Sequence, residues 1–185
     1  MKSDLSHHLL DQADGLGFEA RSAAGDHAAL KLWLRLLACS TQIEVQISRR
    51  LRLRYGISLP RFDYLAQLYR RPEGLKMVDL SRCLMVTGGN VTGLTDELSR
   101  EGLVAREPSP GDRRAWILRL TDAGRSSFEA MASAHEQWVL ELFAGLDSSA
   151  MQQVYGQLGT LRVHLTNLPD PVPDGPPTAG KKDKP

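Results

Sequence analysis

LKMVDLSRCLMVTGGNVTGLTDELSREGLVAREPSPGDRRAWILRL, residues 75–120, divides into helix, turn, helix and a two-stranded hairpin. In its opening, Leu75, Val78 (or Met77), Leu80 and Leu84 recur at mixed spacings of three and four. That is an apolar helical stripe, with Lys76, Asp79 and Arg82 left to water. The next piece offers Thr87 as an N-cap and sets Val91, Leu94 and Leu98 at i, i+3, i+7, a second helix with one buried stripe, closed by Gly102. From Leu103 to Leu120 apolar and polar residues alternate on both sides of Pro108–Asp112, the pattern of a hairpin with a Pro/Gly-rich loop.

The fold class that follows is mainly α with a small β-hairpin, a winged helix-turn-helix. Its second helix would enter a major groove and its hairpin would follow the backbone, so duplex DNA is the expected partner. Gly88, Gly89 and Gly93 fall in the first two turns of that second helix, each costing about 0.5–1 kcal/mol relative to alanine. Close approach of the backbone to the groove would offset this and let Asn90 and Thr92 reach base edges. The alternative is a frayed cap that serves only the turn. Arg106 and Arg119 on the hairpin are phosphate contacts or solvated strand residues, and Trp116 is expected to pack on the strand pair.

This stretch resembles the MarR family of bacterial transcription regulators. GLVAREPSPGDRRAWILRLTDAGR is similar to the family's wing signature, with Asp112, Arg114, Leu120 and Thr121 at the matching positions. The resemblance implies that Arg114 goes toward the minor groove, held by Asp112 through a charge-assisted hydrogen bond, and that Arg113 meets a phosphate. It departs from the family at Gly93, where many members carry an arginine. The expected DNA-binding set is Thr87, Gly88, Gly89, Asn90, Thr92, Arg100, Arg106, Asp112, Arg113 and Arg114.

A narrower similarity runs through LWLRLL (32–37), LPRFDYLAQL (59–68) and LMVTGGNVTGLTDEL (84–98). These resemble the MarR branch that controls breakdown of plant-derived aromatic acids and answers to such acids or their acyl-CoA thioesters, typically hydroxycinnamoyl-CoA. The implied effector is a small aromatic acid or its thioester. Trp33, Leu37, Phe62, Tyr64, Phe128 and His135 would line its pocket, and Arg49, Arg50 and Arg61 would meet a CoA phosphate tail. Core packing is the competing role for each aromatic group, and His135 could be a hydrogen-bonded core histidine.

The bounds set by composition agree with one globular unit. The chain has 185 residues, 42% apolar and 24% charged, with a formal net charge of +1. A basic patch must therefore be local: residues 100–119 hold Arg100, Arg106, Arg113, Arg114 and Arg119 against Glu101, Glu107 and Asp112. Cys39 and Cys83 cannot make a disulfide framework and have no metal-ligand spacing; both read as small buried hydrophobes. Peroxide-sensing MarR relatives carry a cysteine near the start of the first helix, and Cys39 lies further in. No charged-then-apolar leader and no uninterrupted apolar span is visible, so a soluble cytoplasmic protein without membrane contact is expected.

Residues 1–25 read as a flexible arm; His7 and His8 lack a third ligand, so no metal is expected there. A long helix over 26–55, capped by Asp26 and ended at Tyr55-Gly56, is apolar nearly all round in its first half, through Leu30, Leu32, Trp33, Leu34, Leu36 and Leu37. Such a helix needs a second subunit to cover it, which predicts a homodimer. Its second half keeps Ile43, Ile47 and Leu51 on one stripe, with Arg49, Arg50, Arg52 and Arg54 elsewhere, a run that otherwise reads as a solvated face. Ser58 is the expected cap of a helix to Arg70 with core positions Phe62, Leu65 and Leu68.

After the wing, Thr121 and Asp122 start a helix with Phe128, Met131, His135, Trp138 and Leu142 on its stripe; Ser148 starts another with Met151, Val154, Leu158, Leu161 and Leu165. The organisation expected is a winged-helix domain over 26–168, with dimerisation helices 26–55 and 121–168, a DNA-binding lobe 58–120, and a Pro/Lys-rich disordered tail 169–185. No catalytic set, cofactor or metal is expected. The leading expectation is a regulator, a repressor in mode, that holds a palindromic double-stranded operator and releases it on binding an aromatic effector. The alternatives are a DNA-independent sensor or adaptor on the same fold, and a MarR-type regulator answering to oxidation.

Overall fold

The computed structural model describes residues 28–84, 88–109 and 112–170, without the side chains of residues 88–90 and 112–114. The expected caps Asp26 and Thr87, the 1–25 arm and most of the 169–185 tail lie outside the described residues. The chain divides into two units, Met1–Leu142 and Phe143–Pro185.

Helix α1 spans Ala28–Tyr55 and buries Ile47 and Leu51, with Ile43 and Tyr55 packed beside them. It stops at Gly56, whose φ of 66° suits glycine. Leu30, Leu32, Trp33 and Leu37 of its first half stay exposed, Trp33 at 58%. Cys39 on the same stretch is exposed, and so is Cys83, which corrects the expectation that both are buried. The stripes that are buried run through Ile47 and Leu51 in α1 and through Leu80 in the later short helix.

Helix α2 spans Leu59–Tyr69 and buries Phe62, Tyr64, Leu65 and Leu68. Ser58 has the extended backbone of an N-cap but makes no side-chain cap bond. Its carbonyl oxygen accepts from the amides of Arg61 and Phe62 instead, and the proline in the first turn pre-sets the helical φ.

Leu75 was expected to open the next helix, yet it lies in a strand, β1 (Leu75–Lys76), followed by α3 (Met77–Leu84). Gly74, at φ 84°, makes this possible: a Cβ there would strike Ile117 and the Leu118 carbonyl, so only glycine lets the backbone run so close. Within α3, Leu80 is wholly buried while Val78 is 54% exposed, and Met77 takes the core-facing position.

Helix α4 spans Gly88–Arg100, and Val91, Thr95 and Leu98 are wholly buried. It ends at Gly102, φ 74°. Strands β2 (Val104–Ser109) and β3 (Asp112–Leu120) form the wing. With β1 they make a three-stranded antiparallel sheet in the order β1-β3-β2, one strand more than the expected hairpin. The register runs from Val104↔Leu120 to Pro108↔Trp116 and shifts after Pro108. Pro108 and Ser109 thus belong to the strand rather than to the loop, which an edge position permits because Pro108 owes no amide to a further neighbour.

Helix α5 spans Asp122–Phe143 and buries Phe128, Met131, Ala134 and Trp138. Thr121 starts it: its hydroxyl oxygen accepts from the Gly124 amide at 3.0 Å and donates to the Gly102 carbonyl at 2.7 Å. One core joins α1, α2, α3, α4, the wing and α5. In the second unit, α6 (Ser148–Thr166) is capped by Asp147, whose carboxylate accepts from the Ala150 amide, and has no buried residue.

Gly124 gives a direct check on this packing. In an open helix, glycine to alanine stabilises by about 0.5–1 kcal/mol. At Gly124 the new methyl would collide with the Leu103 carbonyl oxygen, so Gly124→Ala should destabilise by about 1–3 kcal/mol and lower the Tm. A raised Tm would contradict the close approach of Leu103 to α5.

Candidate nucleic-acid interface

Helix α4 is held from two sides. On the α2 side, the Tyr64 hydroxyl lies 2.6 Å from the Thr95 hydroxyl, and Arg61 is paired with Glu101 just past the helix end. On the wing side, Arg106 is paired with Asp96 and donates to the Ser99 hydroxyl at 3.3 Å. Arg119 donates to Glu107 at 3.0 Å and to the Pro72 carbonyl at 2.8 Å. Arg106 and Arg119, expected as phosphate contacts or solvated groups, are thus engaged within the protein.

The other candidate DNA contacts belong to α4 and to the start of β3. Gly88, Gly89 and Asn90 open α4, and Thr92 is exposed, its hydroxyl 3.6 Å from the Met77 sulfur. Nothing lies within 4 Å of a Cβ built on Gly93, so the protein itself does not require a glycine there. Arg100 is exposed at the end of the helix. Asp112, Arg113 and Arg114 are the first three residues of β3, where the wing turns; their side chains, like Thr87, lie outside the described residues. Trp116 is 44% exposed and stands opposite Pro108.

The expected effector residues are spread over different parts of the described fold. Phe62, Phe128 and His135 come together between α2 and α5: the Phe62 ring stacks on His135 at 4.9 Å and meets Phe128 at 5.4 Å. Tyr69 continues the row on Phe128 at 4.8 Å. Tyr64 is fully buried and faces Thr95, so its place in a pocket is corrected to one in the core. Trp33 and Leu37 lie on the uncovered half of α1. Arg50 is paired with Glu141 at 2.6 Å and stands 5.9 Å from the Trp138 ring centre, while Arg61 is paired with Glu101. Arg49 lines a groove of about 500 Å³ on α1 together with Glu44, Val45, Arg52 and Leu53.

Thr95, Asp96 and Asp63 escaped the sequence reading, and Glu101 entered it only as a countercharge. Only Thr95 carried a signal, as a hydroxyl four residues after Val91 on an otherwise apolar stripe. Asp63 has its pKa raised by burial, an effect opposed by His135 and reinforced by Glu44. His135 has its pKa lowered by burial, opposed by Asp63.

The sign for stability follows from these directions. As pH falls below 6.5, the ordinary value for His135, the unfolded chain takes up the proton first, so the folded state loses stability until its own lower pKa is passed. Asp63 acts oppositely: its contribution is complete below 3.8 and fades as pH rises through its raised pKa. His135→Gln should therefore flatten the fall in Tm on acidification from neutral pH. A Tm profile identical to that of the parent protein would contradict the burial of the imidazole.

No helix among the described residues is long and apolar enough to cross a membrane. A family model described as the MarR family matches residues 55–115. The uncharacterized HTH-type transcriptional regulator YkoM of Bacillus subtilis (strain 168) is 32% identical over 115 residues, covering 62% of this chain and 73% of YkoM. The crystal structure of a MarR family transcriptional regulator from Silicibacter pomeroyi matches with a TM-score of 0.66 and 31% identity, over 77% of this chain and 99% of that one. Sco3205, a MarR family regulator from Streptomyces coelicolor solved in complex with DNA, shares the fold with a TM-score of 0.67 at 21% identity, over 80% of this chain and 92% of that one. The helix pair, the wing and these likenesses agree: the chain belongs to the MarR family and is a winged helix-turn-helix, DNA-binding transcription regulator rather than an enzyme.

Proposed function

We propose that the protein is a homodimeric repressor that holds a palindromic operator with α4 and the wing, and releases it when an aromatic acid or its acyl-CoA thioester binds beside α2. The observation that carries the effector reading is the Phe62–His135 stack at 4.9 Å, whose imidazole is only part-buried. An aromatic ring offers such a seam the same offset stacking its own rings make. Of the three arginines assigned to a phosphate tail, Arg50 and Arg61 already hold carboxylates. Arg49 lines the α1 groove beside Arg52 and is the better supported contact.

Dimerisation is supported by the bare apolar face of α1 and, separately, by the exposed Met151, Val154, Leu158 and Leu165 of α6. Two copies would set their α4 helices about 34–36 Å apart, one turn of DNA. A small rotation of either copy then spoils the fit, provided the effector binds the released form more tightly than the DNA-bound one. Thr87, Gly88, Gly89, Asn90 and Thr92 would meet the major groove, Arg100 and Arg113 phosphates, and Arg114, held by Asp112, the minor groove. Arg106 is better supported as the tie between wing and α4.

Arg114→Ala should weaken operator binding by about 1–3 kcal/mol, with a smaller loss for Asp112→Ala. Arg113→Ala should flatten the log–log salt dependence by about 0.9. Unchanged affinity in the Arg114 and Asp112 variants would sink the wing assignment. Calorimetric titration should show heat with hydroxycinnamoyl-CoA, less with the free acid, and a matching loss of operator affinity. No heat from the thioester, the acid or CoA alone, with operator binding undisturbed, would remove the effector reading and leave the DNA-binding function standing.

A further inference from the structure

Among the described side chains of α4, Thr95 is the only polar one that is wholly buried. Its hydroxyl oxygen lies 2.6 Å from the Val91 carbonyl oxygen and 2.6 Å from the Tyr64 hydroxyl. A carbonyl can only accept, so the single Thr95 proton goes to Val91. The Thr95 oxygen must then receive the proton of Tyr64. The direction is fixed: Tyr64 donates to Thr95, and Thr95 donates to Val91.

Valine and phenylalanine would fill the same volumes without burying two hydroxyls, so apolar packing does not account for the pair. A threonine that bonds back to the carbonyl four residues earlier draws on that carbonyl and often bends its helix. Val91 stands between Asn90 and Thr92, so a bend at this carbonyl would fall in the turns that hold Gly88, Gly89 and Gly93, where the helix has least stiffness of its own. The end of α4 is anchored separately, through Arg61 to Glu101 and Arg106 to Asp96. The Tyr64 donor is therefore placed to influence how the first turns lie relative to an anchored end.

We propose that Tyr64 and Thr95 are specificity-determining positioning residues: their relay to Val91 sets the bend of α4 at which Asn90 and Thr92 meet base edges. The inference rests on α4 being the reading helix. Phosphate contacts supply affinity without sequence information and base contacts supply discrimination. Loss of the relay thus lowers the preference for the operator while leaving attraction to DNA as such intact.

The test uses the full chain and a duplex enriched from random-sequence DNA by the parent protein, with a scrambled duplex of the same length as reference. Tyr64→Phe and Thr95→Val should each lower the ratio of operator to scrambled affinity about tenfold, the scale of one base contact. The scrambled-duplex Kd and the salt slope should stay unchanged. The double variant should fall no further than the larger single loss, because both break one relay. Thr95→Ser, which keeps the hydroxyl, should retain the ratio, and thermal melts show that each variant is folded at the assay temperature. An unchanged ratio in both singles overturns the proposal, as does an equal loss on both duplexes, which would mark the pair as a stabilising contact only. A parent protein that enriches no sequence while still binding DNA overturns it too, by removing α4 as the reader, whereas failure of the effector titration leaves it untouched.

Discussion

Phe62, Tyr64, Leu65 and Leu68 withdraw almost completely from water within the eleven residues of α2, and each such burial stabilises by about 1.5–3 kcal/mol. An eleven-residue helix can hide four large side chains only if other elements close on it from several directions. Here α1, α3, α4, β3 and α5 join the same core. The aromatic seam with α5 and the polar contacts with α4 are consequences of that constraint. Residues two apart on α2, Phe62 and Tyr64, face different partners because successive helical positions turn by about 100°.

The arginines show how a near-neutral chain can still serve a DNA-binding fold. Arg61, Arg106 and Arg119 are each paired with a carboxylate on a neighbouring element. Partly exposed pairs of this kind contribute about 0–1 kcal/mol, so their main effect is orientation: they aim the end of α4 and the two wing strands. Among the expected DNA-contacting arginines whose side chains are described, Arg100 at the end of α4 is exposed while Arg106 is engaged, a difference that a net charge of +1 conceals.

The same economy runs through the proposed effector site. Phe62 and His135 stack on the α5 face of α2, while Tyr64, two residues on, reaches α4. A ligand that displaced the first pair would act on the helix that holds the second. Coupling of this sort needs no long pathway, because one rigid eleven-residue element carries both contacts.

The helix-turn-helix pair and the wing were legible in residues 75–120 because each rests on a local period: the 3–4 spacing of Val91, Leu94 and Leu98, and the alternation on either side of the Pro/Gly stretch. The bare apolar half of α1 was legible for the same reason, as an excess of leucine on every side of one helix. Strand β1 was not, since two residues show no alternation and its pairing depends on Gly74 passing close to β3. Tertiary structure alone decided that Tyr64 faces Thr95, that Arg61 and Arg106 spend their charge on α4 and its end, and that Cys39 and Cys83 stay exposed. Those outcomes turn on which distant acid, hydroxyl or void arrives at a given face. A one-dimensional period sets how residues are spaced along their own helix, but not which neighbour packs against it.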